Sequence, residues 1–293
     1  MNYSNRFINM KRFILAILSI CALYSCLYAQ KASIKVSYDS RIHSYSDDDE
    51  IKVTKMLLLT GKEESKYFNS MSQLVDSMTS TPEGKKQLRQ IQMAAWVSQG
   101  ADGSITVNKS KGNAPDKTIY TYVVKDFPKE SLKVYDRWAN ELGTYEEALG
   151  EISWKVESDS VRNILAYDCI MAECDYHGRH WRVWFAPEIS VSDGPWKLRG
   201  LPGLILLAES DNDICLEATG IEAVDEEIPP MYSVDSYEKV DRKKALADHE
   251  YFMNNREAFL KARFGATVKV EKRGKDGSES SPYTLTRHSL ETE

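Results

Sequence analysis

Apolar and polar residues alternate with a period of two over many short stretches of this chain. In Ile34–Ser46, Val36 and Tyr38 share one face of the alternation. This pattern is typical of a strand with one buried face. Further strands are predicted at Val53–Leu59, Ser104–Val107, Thr118–Val124, Ile152–Val156, Leu165–Tyr176, His180–Ala186, Leu204–Glu209 and Ile214–Ile221.

Short turns join the last four of these strands into two hairpins. Gly178, in the turn His177–Arg179, supplies the positive φ that a tight hairpin turn requires. The polar turn Ser210–Asp213 joins the second pair. Hairpin connections favour antiparallel pairing. The sequence contains no alternating βαβ series, so a parallel sheet is not expected.

Other stretches have helical periodicity. Ser70–Met78 and Pro82–Trp96 are predicted as helices; in the second, Thr81 is the cap and a proline takes the first helical position. Ser131–Leu142 also fits one helical face. Ser236–Phe264 is the longest helical candidate and is rich in Lys, Glu, Asp and Ala.

These elements predict an α+β fold with one domain over residues 30–272. Its centre is a curved antiparallel sheet packed with helices, and a long C-terminal helix follows the strands. Residues 273–293 include a Gly/Ser/charged stretch. They are predicted to form a flexible C-terminal tail.

Residues 1–29 have the pattern of a secretory signal peptide. Basic residues precede an apolar stretch from Phe13 to Tyr28, and Ala29 is the small residue at the predicted cleavage junction. The apolar stretch is short for a membrane-spanning helix. A lipoprotein site at Cys26 is the alternative. We therefore expect an exported protein, in the periplasm or associated with the outer membrane, with no transmembrane helix in the mature chain.

The charge balance argues against two classes of partner. The chain carries 38 basic and 44 acidic residues. Without the three basic residues of the predicted signal peptide, 35 basic residues face 44 acidic ones, a net charge of −9. Nucleic-acid binding requires a basic surface, and anionic membranes attract basic segments. No nucleic acid is therefore expected as a partner.

Cysteine and histidine residues offer little catalytic chemistry. An oxidising envelope allows a disulfide between Cys215 and either Cys169 or Cys174, or three buried free thiols. His177 and His180 are the only close histidine pair, and their spacing matches no common zinc site. No GxSxG serine motif occurs. No metal, cofactor or catalytic residue is predicted.

One segment identifies a family. Trp181–Leu207 combines three glycines, three prolines and three tryptophans with a run of aliphatic residues, and contains the hexapeptide GLPGLI at Gly200–Ile205. By this motif the chain resembles the GLPGLI family, also called the Porph_ging domain. The resemblance runs from near Ile34 to about Ile221, including Trp184–Pro187. It implies a secreted envelope protein without established activity, a half-barrel-like sheet, and a short or irregular element in place of the helix between residues 131 and 142.

The segment has two interpretations. In the structural one, its glycines and prolines shape a rigid turn that leads into a buried strand, Leu204–Leu207. In the functional one, the tryptophans, Leu198 and Leu201 line a mouth for an apolar ligand or a partner's segment. Polar anchors would be Glu188, Asp193, Lys197 and Arg199. The candidate binding residues are Trp181, Trp184, Pro187, Gly194, Pro195, Trp196, Gly200, Leu201, Pro202, Gly203, Leu204 and Ile205.

Three functions remain open from the sequence. The first is a non-catalytic binding or accessory module for an apolar small molecule, lipid or peptide, or for an outer-envelope protein. The second is a hydrolase or metal-dependent enzyme with a site around His177, His180 and Asp193. The third is a structural interaction protein that uses an exposed sheet edge for strand addition.

Overall fold

A computed structural model describes residues 30–45, 51–109, 112–211 and 213–255, together with 258, 261–262, 286–287 and 290–291. The predicted signal peptide lies outside the described residues. The helices are α1 (Ser70–Thr79), α2 (Pro82–Trp96) and α3 (Arg242–Asn254), with a 3-10 helix at Val234–Ser236. The strands are β1 (Lys31–Tyr45), β2 (Ile51–Gly61), β3 (Glu64–Phe68), β4 (Val97–Gln99), β5 (Ile105–Val107), β6 (Tyr122–Asp126), β7 (Ser131–Trp138), β8 (Glu141–Ala148), β9 (Lys155–Ile164), β10 (Tyr167–Tyr176), β11 (Arg179–Ala186), β12 (Leu204–Ser210), β13 (Ile214–Glu227), β14 (Glu238–Lys239) and β15 (Thr286–Arg287).

Within the described part of the chain, thirteen strands form one open sheet. Their order is β14-β8-β7-β6-β3-β2-β1-β13-β12-β11-β10-β9, and β15 pairs with the end of β1. All neighbouring pairs are antiparallel except β14 with β8. Strands β4 and β5 form a separate two-stranded ribbon after α2. The predicted α+β class with an antiparallel sheet is confirmed.

Alternation along the strands produces two hydrophobic cores. The inner face carries the larger core, to which Tyr38, Leu58 and Val134 belong. The outer face carries a smaller core, in which Tyr122 and Tyr135 pack with residues that follow β13. Successive side chains of a strand point to opposite faces, so each central strand contributes to both cores.

The sheet is strongly curved. Strands β8 and β10 stand nine positions apart in the strand order. At about 4.8 Å between neighbouring strands, a flat sheet would separate them by about 40 Å. Yet the Nε2 atom of His177, in the turn after β10, lies 3.1 Å from the Oε1 atom of Glu147 in β8. The sheet therefore rolls around the residues that pack on its inner face.

The helical interpretation of Ser131–Leu142 is wrong. These residues form the β7–β8 hairpin, with Trp138 paired to Glu141. Ala139 and Asn140 make the turn, with φ values of 47° and 71°. A two-residue hairpin turn of this kind requires positive φ at both positions, and asparagine tolerates it well.

The C-terminal helix starts later than predicted. Residues 236–241 complete the 3-10 helix and form β14, and α3 begins at Arg242, where the Asp241 side chain accepts a hydrogen bond from the Lys244 amide. A long C-terminal helix is not confirmed. The described part of the predicted tail contacts the body of the protein, because β15 pairs with β1 and Glu291 is buried. No helix among the described residues is long and apolar enough to span a membrane.

Candidate functional site

The connection between β11 and β12, residues 187–203, fills the inside of the curved sheet. Leu198 and Leu201 are buried in the inner core, as are Leu204 and Ile205 at the start of β12. The Ile205 amide donates to the Asp193 carbonyl, so the connection folds back on the strand that follows it. This arrangement matches the structural interpretation of the GLPGLI segment, a rigid turn leading into a buried strand.

Two glycines permit this close packing. A Cβ atom on Gly203 would lie 2.3 Å from the carbonyl oxygen of Ala186, and one on Gly194 would lie 2.8 Å from the Cβ of Ile205. Both distances are shorter than real Cβ contacts allow. Glycine at these positions therefore lets two backbone segments touch.

A buried lysine holds the connection in place. The Nζ atom of Lys125, on β6, lies 2.5 Å from Asp193 Oδ1 and 2.9 Å from the Gly194 carbonyl oxygen, and donates more weakly to that of Leu198. The side chains of Lys125 and Asp193 are 0% and 1% exposed. Burial lowers the pKa of Lys125, and the facing Asp193 carboxylate opposes that shift. A charge removed from water this completely is tolerated only when paired and hydrogen-bonded.

The predicted tryptophan mouth does not form as one surface. Trp181 and Trp196 stack with their ring centroids 5.5 Å apart, and both are fully buried. Trp184 lies three residues along β11 and therefore points to the other face, where the Arg162 guanidinium stands 5.3 Å from its ring centroid. Trp196 has a φ of 53°, which is unusual for a bulky residue and is maintained here by its surroundings.

The other predicted site residues are divided between the surface and the interior. Pro187, Gly200 and Pro202 are exposed, whereas Gly194 and Pro195 are buried with Trp196. The structure thus brings most of the apolar candidates together as packing inside the sheet. The exposed prolines and Gly200 lie at the bends of the connection.

A second buried polar group surrounds Lys197, whose side chain is 0% exposed. Its Nζ atom lies 2.7 Å from the Tyr145 hydroxyl, 2.9 Å from Glu147 Oε1, 3.2 Å from Glu291 Oε2 and 3.4 Å from His177 Nε2. We call these five residues, together with Arg242, the Lys197 cluster. Its members come from β8, the β10–β11 turn, the connection between β11 and β12, α3 and the segment at residues 290–291.

Basic and acidic side chains of the Lys197 cluster compensate one another's charge. Burial lowers the pKa of Lys197, while Glu291 and Glu147 act in the opposite direction. Burial alone would raise the pKa of Glu147, but the hydrogen bond with His177 and the charge of Lys197 outweigh it and lower this pKa to about 2. Arg242 Nε lies 2.6 Å from Glu291 Oε2. The cluster therefore sets two basic side chains, Lys197 and Arg242, against the two acidic side chains of Glu147 and Glu291.

A small cavity adjoins the Lys197 cluster, with a volume of about 90 Å³. Measured in the same way, one buried water needs roughly 10–15 Å³, so the cavity has room for several waters or one side chain. Aromatic, apolar and charged residues mix in its walls. They are Ile42, Thr121, Val134, Asp136, Arg137, Trp138, Trp196, His249, Leu290 and Glu291.

The residues of the alternative enzymatic site lie in separate networks. His177 belongs to the Lys197 cluster, Asp193 pairs with Lys125, and His180 is exposed beside Asp175, with Nδ1 2.9 Å from Oδ1. In the described part of the chain, no group of three His, Cys, Asp or Glu side chains could hold a metal ion. The distribution of these residues gives no support to a shared catalytic centre.

The three cysteines are separate thiols in the structure. Burial raises the pKa of Cys169 to about 11 and that of Cys174 to about 12. Both side chains are therefore protonated at neutral pH, and thiolate chemistry is suppressed.

Sequence reasoning missed most of the Lys197 cluster. The sequence predicts Lys197 and Asp193 as polar anchors, but not Tyr145 or Glu147, which lie on the β7–β8 hairpin, part of which also fits a helical period. Lys125 was detectable in principle. It lies two positions after Val123, a core residue, and residues two apart on a strand point to the same face. Alternation therefore places Lys125 on the buried face.

Comparisons with known proteins give only distant structural likenesses. No family model matches the chain, and no curated protein matches it. Among solved structures, "Structure of PNGF-II in C2 space group" is 14% identical, with a TM-score of 0.46 over 74% of this chain and 32% of that one. "Structure of PNGF-II in P21 space group" is also 14% identical, with a TM-score of 0.43 over 68% of this chain and 29% of that one. The chain thus spans about a third of the length of these proteins.

Proposed function

We propose that this chain is an exported, non-catalytic binding module of the GLPGLI type, which engages an envelope protein through the cavity beside Trp196. The observation that carries the proposal is the mixed cavity of about 90 Å³, bordered by aromatic rings and by the charged side chains of Asp136, Arg137 and Glu291, the last of which belongs to the Lys197 cluster. A location in the periplasm or at the outer membrane is part of this proposal, and the predicted signal peptide supports it.

The size of the cavity favours one of the predicted ligands, which are an apolar small molecule, a lipid and a protein segment. Pockets for small organic ligands usually measure about 300–1,000 Å³. A cavity of about 90 Å³ is too small for a lipid chain, and the interior beside it is filled by Trp181 and Trp196. A single side chain from a partner protein fits this volume. We therefore favour a protein segment over a lipid as the bound species.

Several features favour binding over catalysis. Lys197, the most deeply buried cation of the site, contacts two carboxylates and a hydroxyl. A nucleophile activated for catalysis usually has a nearby base and room for a reacting group. Cys169 and Cys174 are held as neutral thiols. Among the residues that the structure describes, His177 and His180 belong to no group that could hold a metal ion, as a metal-dependent enzyme would need.

The exposed sheet edge supports a second mode of binding less well. Among the described strands, β9 lies at the end of the sheet, and Val156 and Val161 on it are 46% and 58% exposed. However, its pairing with β10 is interrupted between Glu157 and Val161. Irregular and charged edges of this kind discourage the addition of another strand.

Two measurements test the proposal. Native mass spectrometry of the chain from Gln30 onward, isolated from a periplasm, should give the bare protein mass; a bound lipid would contradict the cavity-size argument. In the second, a photo-crosslinking amino acid replaces Arg137 at the cavity, with replacement of Val161 on β9 as the control. We expect a reproducible protein product in the native envelope from position 137. No product there, or a product from position 161 alone, would contradict the proposal.

A further inference from the structure

The C-terminal segment docks on the body of the protein in the manner of a bound peptide. Thr286 and Arg287 pair antiparallel with Tyr45 and Ser44 at the end of β1. Leu290 packs against the inner core. Recognition of extended peptides commonly combines strand pairing with pockets for particular side chains. This short segment shows both features.

Glu291 makes the most specific contacts of this segment. Its carboxylate lies 3.2 Å from Lys197 Nζ, 2.6 Å from Arg242 Nε and 2.5 Å from the Tyr145 hydroxyl, and the residue is only 6% exposed. Hydrogen bonds between charged groups are the strong ones in proteins, particularly when water is excluded. The three donors come from separate elements and converge on one carboxylate.

Glu291 supplies one of the two carboxylates of the Lys197 cluster. Without Glu291, the cations Lys197 and Arg242 would be left with Glu147 as the other carboxylate of the cluster. The side chains of Lys197 and Arg242 are 0% and 17% exposed, so water would screen them poorly. A partly buried excess of positive charge is costly and favours binding of an anion.

We propose that Lys197, Arg242 and Tyr145 form a carboxylate-binding site for a peptide in which an apolar residue precedes glutamate, and that the chain's own C-terminal segment occupies this site. The inference rests on the proposed function, since it names the chemistry of the protein segment that would enter beside Trp196. A partner segment with the same Leu-Glu pattern would compete with Glu291 for the three donors.

The test supplies the segment as a separate molecule. A chain truncated after Ser281 is titrated with a fluorescent peptide of residues 282–293, PYTLTRHSLETE, and binding is followed by fluorescence anisotropy. We expect saturable binding to the truncated chain and at least tenfold weaker binding to the full chain, where the site is filled. A scrambled peptide of the same composition is the control for non-specific association.

Substitutions then locate the recognition. The peptide with Glu291→Gln should bind the truncated chain at least tenfold more weakly, because the hydrogen bonds to charge are lost. Arg242→Gln in the truncated chain should weaken the parent peptide similarly and leave the affinity for the Gln peptide nearly unchanged. A folded truncated chain that fails to bind the parent peptide, or binds both peptides equally, would overturn the proposal.

A variant that keeps the whole chain covers the case in which truncation prevents folding. Full-length Glu291→Gln weakens the internal contact without removing the segment, so the parent peptide should bind it more tightly than it binds the unmodified chain. Equal affinities would count against the site. Failure of the envelope crosslinking at position 137 with successful peptide binding would reject the proposed function and leave the carboxylate site intact.

Discussion

Lys125→Met should destabilise the protein strongly, because it removes the cation that holds the GLPGLI segment inside the sheet. Methionine retains much of the length and apolar character of the lysine stem but cannot donate hydrogen bonds. The substitution removes the Nζ atom of Lys125, which lies 2.5 Å from Asp193 Oδ1 and 2.9 Å from the Gly194 carbonyl oxygen. The Asp193 carboxylate keeps only the hydrogen bond from the Gly194 amide to Oδ1, and its Oδ2 atom has no hydrogen-bond partner among the described residues.

The size of the effect follows from the burial of both groups. Removing one member of a buried ion pair typically costs about 3–5 kcal/mol, since the other charge stays in the interior without compensation. In a domain of about 150–250 residues, 1 kcal/mol corresponds to a change in Tm of about 2–4 °C. Lys125→Met should therefore lower Tm by about 6–20 °C.

Urea unfolding of the mature chain, followed by tryptophan fluorescence, measures this effect. The double variant Lys125→Met/Asp193→Asn carries no buried charge at the pair, so its loss should be smaller than the sum of the two single losses by about 2 kcal/mol or more. Lys133→Met is a matched control, because Lys133 and Glu146 form a surface pair with side chains 40% and 54% exposed. It should change the unfolding free energy by less than about 1 kcal/mol.

An additive double variant, or a loss below about 1 kcal/mol for Lys125→Met, would refute this account of the pair. Either result would mean that the connection is held by its apolar packing alone. The fluorescence of the folded state provides a separate readout. If Lys125 positions the segment, the stacked Trp181 and Trp196 should change their emission in Lys125→Met and not in the control.

Further predictions concern pH and backbone packing. Burial lowers the pKa of Lys66 to about 7, below the 10.5 of the unfolded chain. The contribution of Lys66 to stability should therefore fall as the pH decreases from about 10.5 to 7, and change little below pH 7. Lys66→Met should flatten this pH dependence of the unfolding free energy in urea. The pKa of Glu147 is about 2 against 4.5 when unfolded, so its contribution should be lost as the pH falls from about 4.5 towards 2, and Glu147→Gln should remove that part of the acid dependence. Gly203→Ala should lower stability by about 1–3 kcal/mol in thermal unfolding, because its Cβ would meet the Ala186 carbonyl, whereas Gly220→Ala, with no atom within 4 Å of the added Cβ, should be nearly neutral. Equal effects of the two alanines would contradict the close-approach argument.

Local patterns predicted the elements whose structure depends on nearby residues. The turn around Gly178 joins β10 to β11 as predicted, and the helix beginning at Pro82 has Thr81 as its cap. The β7–β8 hairpin shows the limit of periodicity. Its apolar residues fit a helical face, but the turn at Ala139 and Asn140 lets both halves pair in the sheet. When the apolar residues of a short stretch fit both a helical and a strand period, its secondary structure is determined by pairing with other strands.

The Lys197 cluster was beyond reach of the same reasoning because its residues are joined by the curvature of the sheet. Glu147 and His177 would be far apart on a flat sheet, so no sequence spacing relates them. His177 lies in a hairpin turn, a place normally expected to face solvent, and the rolled sheet brings that turn against β8.

The lysines themselves nevertheless carry usable information. A lysine on the apolar face of a strand, or inside an apolar segment such as the one around Lys197, can be accommodated only if its ammonium meets a carboxylate or several carbonyls. Lys125 meets Asp193 and two carbonyls, and Lys197 meets Glu147 and Glu291. In both cases the compensating groups are distant in sequence. A lysine that alternation places on a buried face therefore indicates that distant parts of the chain meet at its ammonium group, even when the sequence does not identify the partner. The two lysines are therefore better indicators of this site in the sequence than the tryptophans are.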